Sequence, residues 1–248
     1  MNNLKTNNNK IIDVFEQQGF VLIREFFKKS FIIKVKKSLK LFLKKNYISL
    51  KGVNFVDKKT NKINTVHNIT QWKFLKKIQN DKKISFFAKN LLKKKIKNFG
   101  AEVFAKPARI GLESPPHQDN FYWNIKNNKG LTCWIALDES NKKNGSIYYY
   151  AKSHKLGLLD HSPSFAKGSS QKISNIKKLK KNKKIYPELK VGDILIHSCL
   201  IVHGSKKNLS NQNRMGLTLR FIPAGSKFNL KKKRKYEKSL KQQQKFLN

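Results

Sequence analysis

Cysteine is almost absent from this 248-residue chain, which carries Cys133 and Cys199 and no others. A secreted scaffold held by disulfides would need more, so both thiols, each in an apolar run, are expected to be free and buried in a reducing compartment. No apolar stretch approaches the roughly 18 residues of a membrane span. The polar start MNNLKTNNNK also lacks the apolar centre of a signal peptide, so the cytoplasm is the expected address. Acidic residues are few: 14 against 55 basic ones, a formal net charge of +41. Such a charge invites nucleic acid or an acidic surface as partner, because clustered cations displace counterions from phosphates. Arginine, however, is scarce too. Only Arg24, Arg109, Arg214, Arg220 and Arg234 offer the guanidinium fork that reads phosphates and base edges in two-pronged fashion. The lysines are spread along the whole chain among many Asn and Ile, which reads as solvated surface rather than a specific nucleic-acid interface. Weak anion contacts remain open to runs such as Lys231-Lys232-Lys233-Arg234-Lys235 and Lys177 to Lys184.

What is present is enough apolar material for one sizeable core: 38% hydrophobic residues, with 17 Phe. A β-rich chain of this length is commonly a single unit, and one domain over 1–248 is expected. The first ten residues read as a frayed tail. Ile11, Ile12 and Phe15 then mark a short helix, Gly19 stops it, and FVLI suits a strand. Phe31, Val35, Leu39 and Phe42 recur at helical spacing, as do Ile84, Phe87 and Leu91 within about 81–97. A helical N-terminal part over about 10–98 follows from these. From residue 100 the texture changes to short strands: AEVFA (101–105), LTCWIALD (131–138), SIYYYA (146–151), DILIHSC (193–199) and MGLTLRFIP (215–223). Turn residues separate them, which predicts a mainly β fold with flanking helices, a two-sheet jelly roll over about 100–224. Residues 161–186 show no periodicity and are expected to form a long mobile loop, a candidate lid. A basic tail is expected over about 227–248.

Within this frame, SPPHQDNFYW (114–123) sets His117 and Asp119 two positions apart. In an extended segment both side chains project to one side and can converge on one ion. A lone pair of this kind is a weak signal. It strengthens with VHGSKKNLSNQNR (202–214), where His203 supplies a third ligand and Arg214, eleven residues on, heads the last apolar strand. Two histidines and one carboxylate on one face leave adjacent positions open, the arrangement of non-haem Fe(II) oxygenases. His197 competes for the third corner at an even offset of six. The His-Gly-Ser context and the offset to Arg214 favour His203. Arg220 likewise rivals Arg214 as anchor for a dicarboxylate, with a structural salt bridge as its other role. His67, His154 and His161 show no partner pattern and read as surface groups.

The segments FEQQGFVLIREFF, FAKP, PPHQDNFYW, TCWIALDESNKKNGSIYYYAKSHK, VGDILIHSCLIVHGS and NRMGLTLRFIP, taken in order and spacing, resemble the phytanoyl-CoA dioxygenase family. The resemblance spans most of the chain. It implies a double-stranded β-helix and an Fe(II)/2-oxoglutarate-dependent dioxygenase that uses O2. It implies further that His117, Asp119 and His203 hold iron, that Arg214 and Ser205 bind the distal carboxylate of 2-oxoglutarate, and that Trp134 lines the co-substrate pocket. Where the family often has Pro-Gly-Ser-His, this chain reads Ala151-Lys152-Ser153-His154. Retention of Asp119 points to hydroxylation, because in related halogenating enzymes that carboxylate is absent.

Substrate identity is barely written in the sequence. Lys106 and Arg109 precede His117 and could receive an anionic group; Glu102 lies on the preceding strand. Tyr122, with Phe121 and Trp123, could line a pocket for a small organic molecule. The alternatives are a non-enzymatic basic protein binding nucleic acid or acidic surfaces on a degenerate β-helix, and a cupin-like isomerase, against which Ser205 and Arg214 speak.

Overall fold

A computed structural model describes residues 2–46, 53–57, 62–67 and 69–247. In chain order the elements are α1 (Asn2–Gln18), β1 (Phe20–Ile23), α2 (Lys29–Asn46), β2 (Val53–Asp57), β3 (Lys62–Val66), α3 (Lys73–Gln79) and α4 (Lys82–Leu92). The β-rich part follows, with β4 (Ile96–Lys106), β5 (Ser114–His117), α5 (Asp119–Trp123), β6 (Leu131–Ala136) and β7 (Ile147–Tyr150). Then come β8 (His161–Ala166), β9 (Ser169–Ile173), β10 (Lys184–Ile185), β11 (Ile194–Ser198), β12 (His203–Ser205), β13 (Arg214–Pro223) and α6 (Leu230–Leu247).

Among the described residues the strands form a large sheet in the order β1-β11-β6-β13-β4-β3-β2, a small sheet β10-β7-β12-β5, and the hairpin β8-β9. Strand alternation sorts the large sheet's side chains onto two faces. One face carries Ala101 and Val103 of β4, Cys133 and Ile135 of β6, Ile194 and Ile196 of β11, and Leu217, Leu219 and Phe221 of β13. It packs on Ile32, Val35 and Leu39 of α2 and on Ile84, Phe87 and Leu91 of α4. Each fully buried aliphatic or Phe side chain there stabilises by about 1.5–3 kcal/mol. The opposite face meets the small sheet through Phe20, Trp134, Ala136 and Leu195 against Ile147, Tyr149 and Ile201. It also bears the polar series Glu102, Thr132, His197, Arg214 and Thr218, all buried. A jelly roll backed by helices is therefore the fold, as the element pattern predicts.

Several boundaries differ from the sequence reading. The first residues are not a frayed tail; with no Gly or Pro before Gly19, the helix runs from Asn2. Residues 161–186 are not a featureless loop. They hold the β8-β9 hairpin, a short 3-10 turn (Ile176–Leu179) and β10. The basic tail is α6, which lies against α5, β8 and β9. It is tied down by Gln243, whose side chain accepts from Phe165 N at 2.6 Å and donates to Ala166 O at 3.1 Å. Cys133 and Cys199 are free and buried. No helix among the described residues is long and apolar enough to cross a membrane.

Candidate metal centre

His117 ends β5, an outer strand of the small sheet, where Pro115 and Pro116 cost no ladder hydrogen bond. β12 pairs with β5 so that His203 stands opposite His117, their rings 4.4 Å apart. The chain is extended only as far as Gln118 (φ −121°, ψ 133°), and Asp119 opens the short helix α5. The same-side geometry expected of two strand residues is thus reached at a strand-to-helix corner. Gln118 holds that corner: its amide donates to Gly157 O and Leu200 O at 2.7 and 2.6 Å and its oxygen accepts from Leu159 N at 2.8 Å.

One ligand atom from each of His117, Asp119 and His203 lies within 4.8 Å of the others. His117 donates from Nδ1 to Pro115 O at 2.8 Å and His203 from Nδ1 to Ile201 O at 3.1 Å. A carbonyl can only accept, so both tautomers are fixed with the Nε2 lone pair free for the centre. Burial lowers the His117 pKa and, with the neighbouring His117, brings that of His203 down to about 3. For Asp119 burial works in the opposite sense, but the electrostatic attraction of His203, the hydrogen bond from His197 and the attraction of His197 and His117 outweigh it, holding the carboxyl below its ordinary range. Two neutral imidazoles and one carboxylate form a donor set that suits a divalent transition metal.

His197, the competitor for the third corner, is 2% exposed and stands behind the aspartate. Its Nε2 lies 3.2 Å from Asp119 Oδ2, and its Nδ1 lies 2.9 Å from the Tyr149 hydroxyl. Thr132 Oγ1 donates to the same Oδ2 at 2.6 Å. Asp119 Oδ1 is left facing His203 Nε2 at 3.7 Å. Thr132 and Tyr149 escape a motif search. Strand alternation could have found Thr132, which shares a face with Trp134.

Arg214 is 2% exposed, heads β13 and donates from Nη2 to Gly145 O at 2.6 Å. Its Nε is buried without a partner, and its guanidinium carbon lies 5.3 Å from the centroid of the Trp134 ring. Among the described residues no carboxylate pairs with it within ion-pair distance, and burial brings its pKa down to about 10. Gly216 faces the same indole, and a Cβ there would stand 2.0 Å from the Trp134 ring, closer than any side chain can approach. Ser205 is buried on β12, two residues beyond His203. A buried cation with an unused donor, on the face that bears Thr132 and His197, fits a carboxylate held beside the metal centre.

The three residues assigned to substrate part company. Lys106 pairs with Arg214 across β4 and β13, but its ammonium donates to Lys206 O at 2.8 Å and to Leu112 O. Burial first, and then Arg214, hold its pKa well below the usual lysine value. Two of its three N–H donors are committed to backbone carbonyls. Tyr122 packs edge-on to His117 at 5.6 Å and Glu102 is buried on the inner face. Arg109 is exposed in a turn at φ 64°. The histidines read as surface groups are not free either: His161 is 8% exposed and accepts from Gln118 N at 3.0 Å, and His67 contacts Glu102. His154 reaches Glu16 O at 3.1 Å. Arg220 makes the structural ion pair with Glu102 at 3.3 Å.

Fold and site together define a jelly roll that presents two histidines and an aspartate to one metal position. The family profile described as Phytanoyl-CoA dioxygenase (PhyH) matches residues 15–216, and the chain belongs to the phytanoyl-CoA dioxygenase family. Curated relatives include Phytanoyl-CoA dioxygenase of Arabidopsis thaliana, 32% identical over 123 residues, which are 48% of this chain and 42% of the relative. Phytanoyl-CoA dioxygenase 1 of Oryza sativa subsp. japonica is 29% identical over 133 residues, with the same two shares. The chain therefore spans less than half the length of these relatives. Among solved structures, EctD from S. alaskensis with bound Fe superposes with a TM-score of 0.74 at 17% identity, covering 89% of this chain and 78% of that one. The non-heme alpha ketoglutarate dependent carbocyclase SnoK from nogalamycin biosynthesis gives 0.73 at 16% identity, covering 89% and 85%. At these identities the likeness concerns the fold.

Proposed function

We propose that this chain is an Fe(II)- and 2-oxoglutarate-dependent dioxygenase that hydroxylates a C–H bond of a small organic substrate in the cytoplasm. The observation that carries this reading is the pairing of the His117/Asp119/His203 cluster with Arg214, a buried guanidinium with an unused Nε on the neighbouring sheet face. Iron with 2-oxoglutarate and O2 would supply the oxidation: one oxygen atom enters the substrate as hydroxyl, the other enters succinate, and CO2 leaves. His117, His203 and Asp119 Oδ1 would hold the metal, their protonation states set beforehand by the carbonyls of Pro115 and Ile201 and by His197. Arg214 and Ser205 would take the remote carboxylate, with Trp134 as the wall of that pocket. Neutralising this carboxylate in a buried place by a charge-assisted hydrogen bond orients the co-substrate and keeps water from its far end.

Anaerobic addition of Fe(II) and then 2-oxoglutarate to the protein tests the reading. The visible charge-transfer band of the chelate is expected for the parent and is expected to be lost in His117→Ala and Asp119→Ala. Variants that keep the parent's band would refute the ligand assignment. With O2 admitted, succinate release then reports competence without any substrate in hand.

A further inference from the structure

The following rests on the oxygenase reading and names the class of molecule that the site would oxidise. Arg220 of β13 pairs with Thr132 of β6, whose hydroxyl is on Asp119, so this row of the inner face adjoins the metal corner. Glu102, one strand over on β4, is 8% exposed. Its Oε1 accepts from His67 Nδ1 at 2.5 Å and lies 3.3 Å from Arg220 Nη2. Its Oε2 has no partner among the described residues.

The arrangement is built with some care for the first oxygen and none for the second. Arg220 is held with its guanidinium 5.7 Å from the Phe99 ring and 5.9 Å from that of Trp123. It can lie there because Gly100, at φ 141°, has no Cβ; one would stand 2.5 Å from Nη2. Two donors thus pin Glu102 through one oxygen and aim the other away. Because Oε2 is not sealed among the buried unpartnered atoms, a ligand can reach it and donate to it in place of water. Aromatic rings flank the same region. Tyr122 of α5 and Tyr236 of α6 meet edge to face at 5.5 Å, and the Glu102 charge acts on the Tyr236 phenol.

We infer that the substrate is a small molecule carrying a protonated amine, which binds Glu102 Oε2 beside the paired Tyr122 and Tyr236 rings and sets the neighbouring C–H bond before the metal. An ammonium gains a charge-assisted hydrogen bond and attraction to the aromatic faces together. A polyol hydroxyl gains only a neutral donor's hydrogen bond, about half as strong. An acyl chain would bury the free oxygen against methylene groups and gain nothing from it.

Saturation-transfer NMR on the metal-free full chain tests this with three sets of probes: the common L-amino acids with ethanolamine and putrescine; glycerol and myo-inositol; and hexanoyl-CoA. At least one amine is expected to bind, and its affinity to fall at least about tenfold in Glu102→Gln, which keeps the shape and an oxygen but removes the charge. Glu102→Asp, charged but shorter, is expected to fall between the two. If Glu102→Gln does not fold, Tyr236→Leu replaces it, with a loss of severalfold expected. Silence from every amine, an amine that binds Glu102→Gln as tightly as the parent, or binding confined to the polyols or the thioester would overturn the inference. Because no metal is used, these outcomes are separate from the chelate band: a band with no amine binding sinks this inference alone, and amine binding with no band sinks the oxygenase reading alone.

Discussion

His197 Nε2 lies 3.2 Å from Asp119 Oδ2, and that distance decides how the aspartate is presented. Because a carboxylate only accepts, Nε2 is the donor in that pair, and Nδ1 on the far side of the ring lies 2.9 Å from the Tyr149 hydroxyl. Thr132 donates to the same oxygen. Oδ2 is thereby saturated, and Oδ1 is the oxygen left for the centre. Residues that orient a ligand in this way are commonly worth about 10–100-fold in metal affinity. His197→Leu is therefore expected to weaken Co(II) binding by about that factor, followed by visible absorption. His197→Gln, which can place an amide N–H near the same oxygen, is expected to recover much of it. Parent-like affinity in His197→Leu would show that the α5 corner holds Asp119 without help.

The co-substrate end should separate cleanly from the metal end. Arg214→Met removes a buried charge-assisted donor, a loss of about 1.5–3 kcal/mol, or roughly 10–100-fold in 2-oxoglutarate affinity. Gly216→Ala acts on the same pocket by pushing the Trp134 indole out of its place. Both are expected to raise the 2-oxoglutarate concentration needed to form the chelate band while leaving Co(II) affinity close to that of the parent. A parallel loss of metal binding would mean that Arg214 supports the fold rather than the ligand.

The parts of this molecule legible in sequence are those whose physics is local. The apolar stripe through Val35 and Leu39 or through Ile84 and Leu91 needs only helical spacing, and the alternation in MGLTLRFIP needs only a pleat. The three residues of the candidate metal cluster could be read because His203-Gly204-Ser205 and Arg214 stand at a telling offset. Partners set by tertiary pairing were hidden. Thr132 meets Asp119 because β6 lies beneath α5, and His197 turns out to brace a ligand because β11 pairs with β6. The 161–186 segment failed for a related reason. Its hairpin is half polar on both faces and shows no period; it is ordered by Gln243, Ser239 and Tyr236 of a helix that arrives some seventy residues later in the chain. A basic, polar run gives no hint of that, since nothing in it shows which of its residues will meet the hairpin.

His161 offers a test of this corner that needs neither metal nor substrate. Burial lowers its pKa from 6.5 to about 4, and neighbouring His117 adds to the effect while the bond to Leu159 O opposes it. The neutral ring donates from Nδ1 to Leu159 O at 2.9 Å and accepts Gln118 N–H at Nε2, so protonation would set two donors face to face. As pH falls, the unfolded chain takes up this proton near 6.5 while the folded protein resists it down to about 4. The unfolded state then binds more protons, so the contribution is fully present above about pH 6.5 and is lost progressively as pH falls toward about 4. At 1.36 kcal/mol per unit this amounts to roughly 3–3.5 kcal/mol. His161→Gln keeps an acceptor for Gln118 N–H and cannot titrate. Urea unfolding of the metal-free protein at a series of pH values should therefore show a shallower loss of stability in this window for His161→Gln than for the parent. Equal slopes would mean that His161 is protonated or solvated in the folded protein, and that Gln118 is held by its other hydrogen bonds alone.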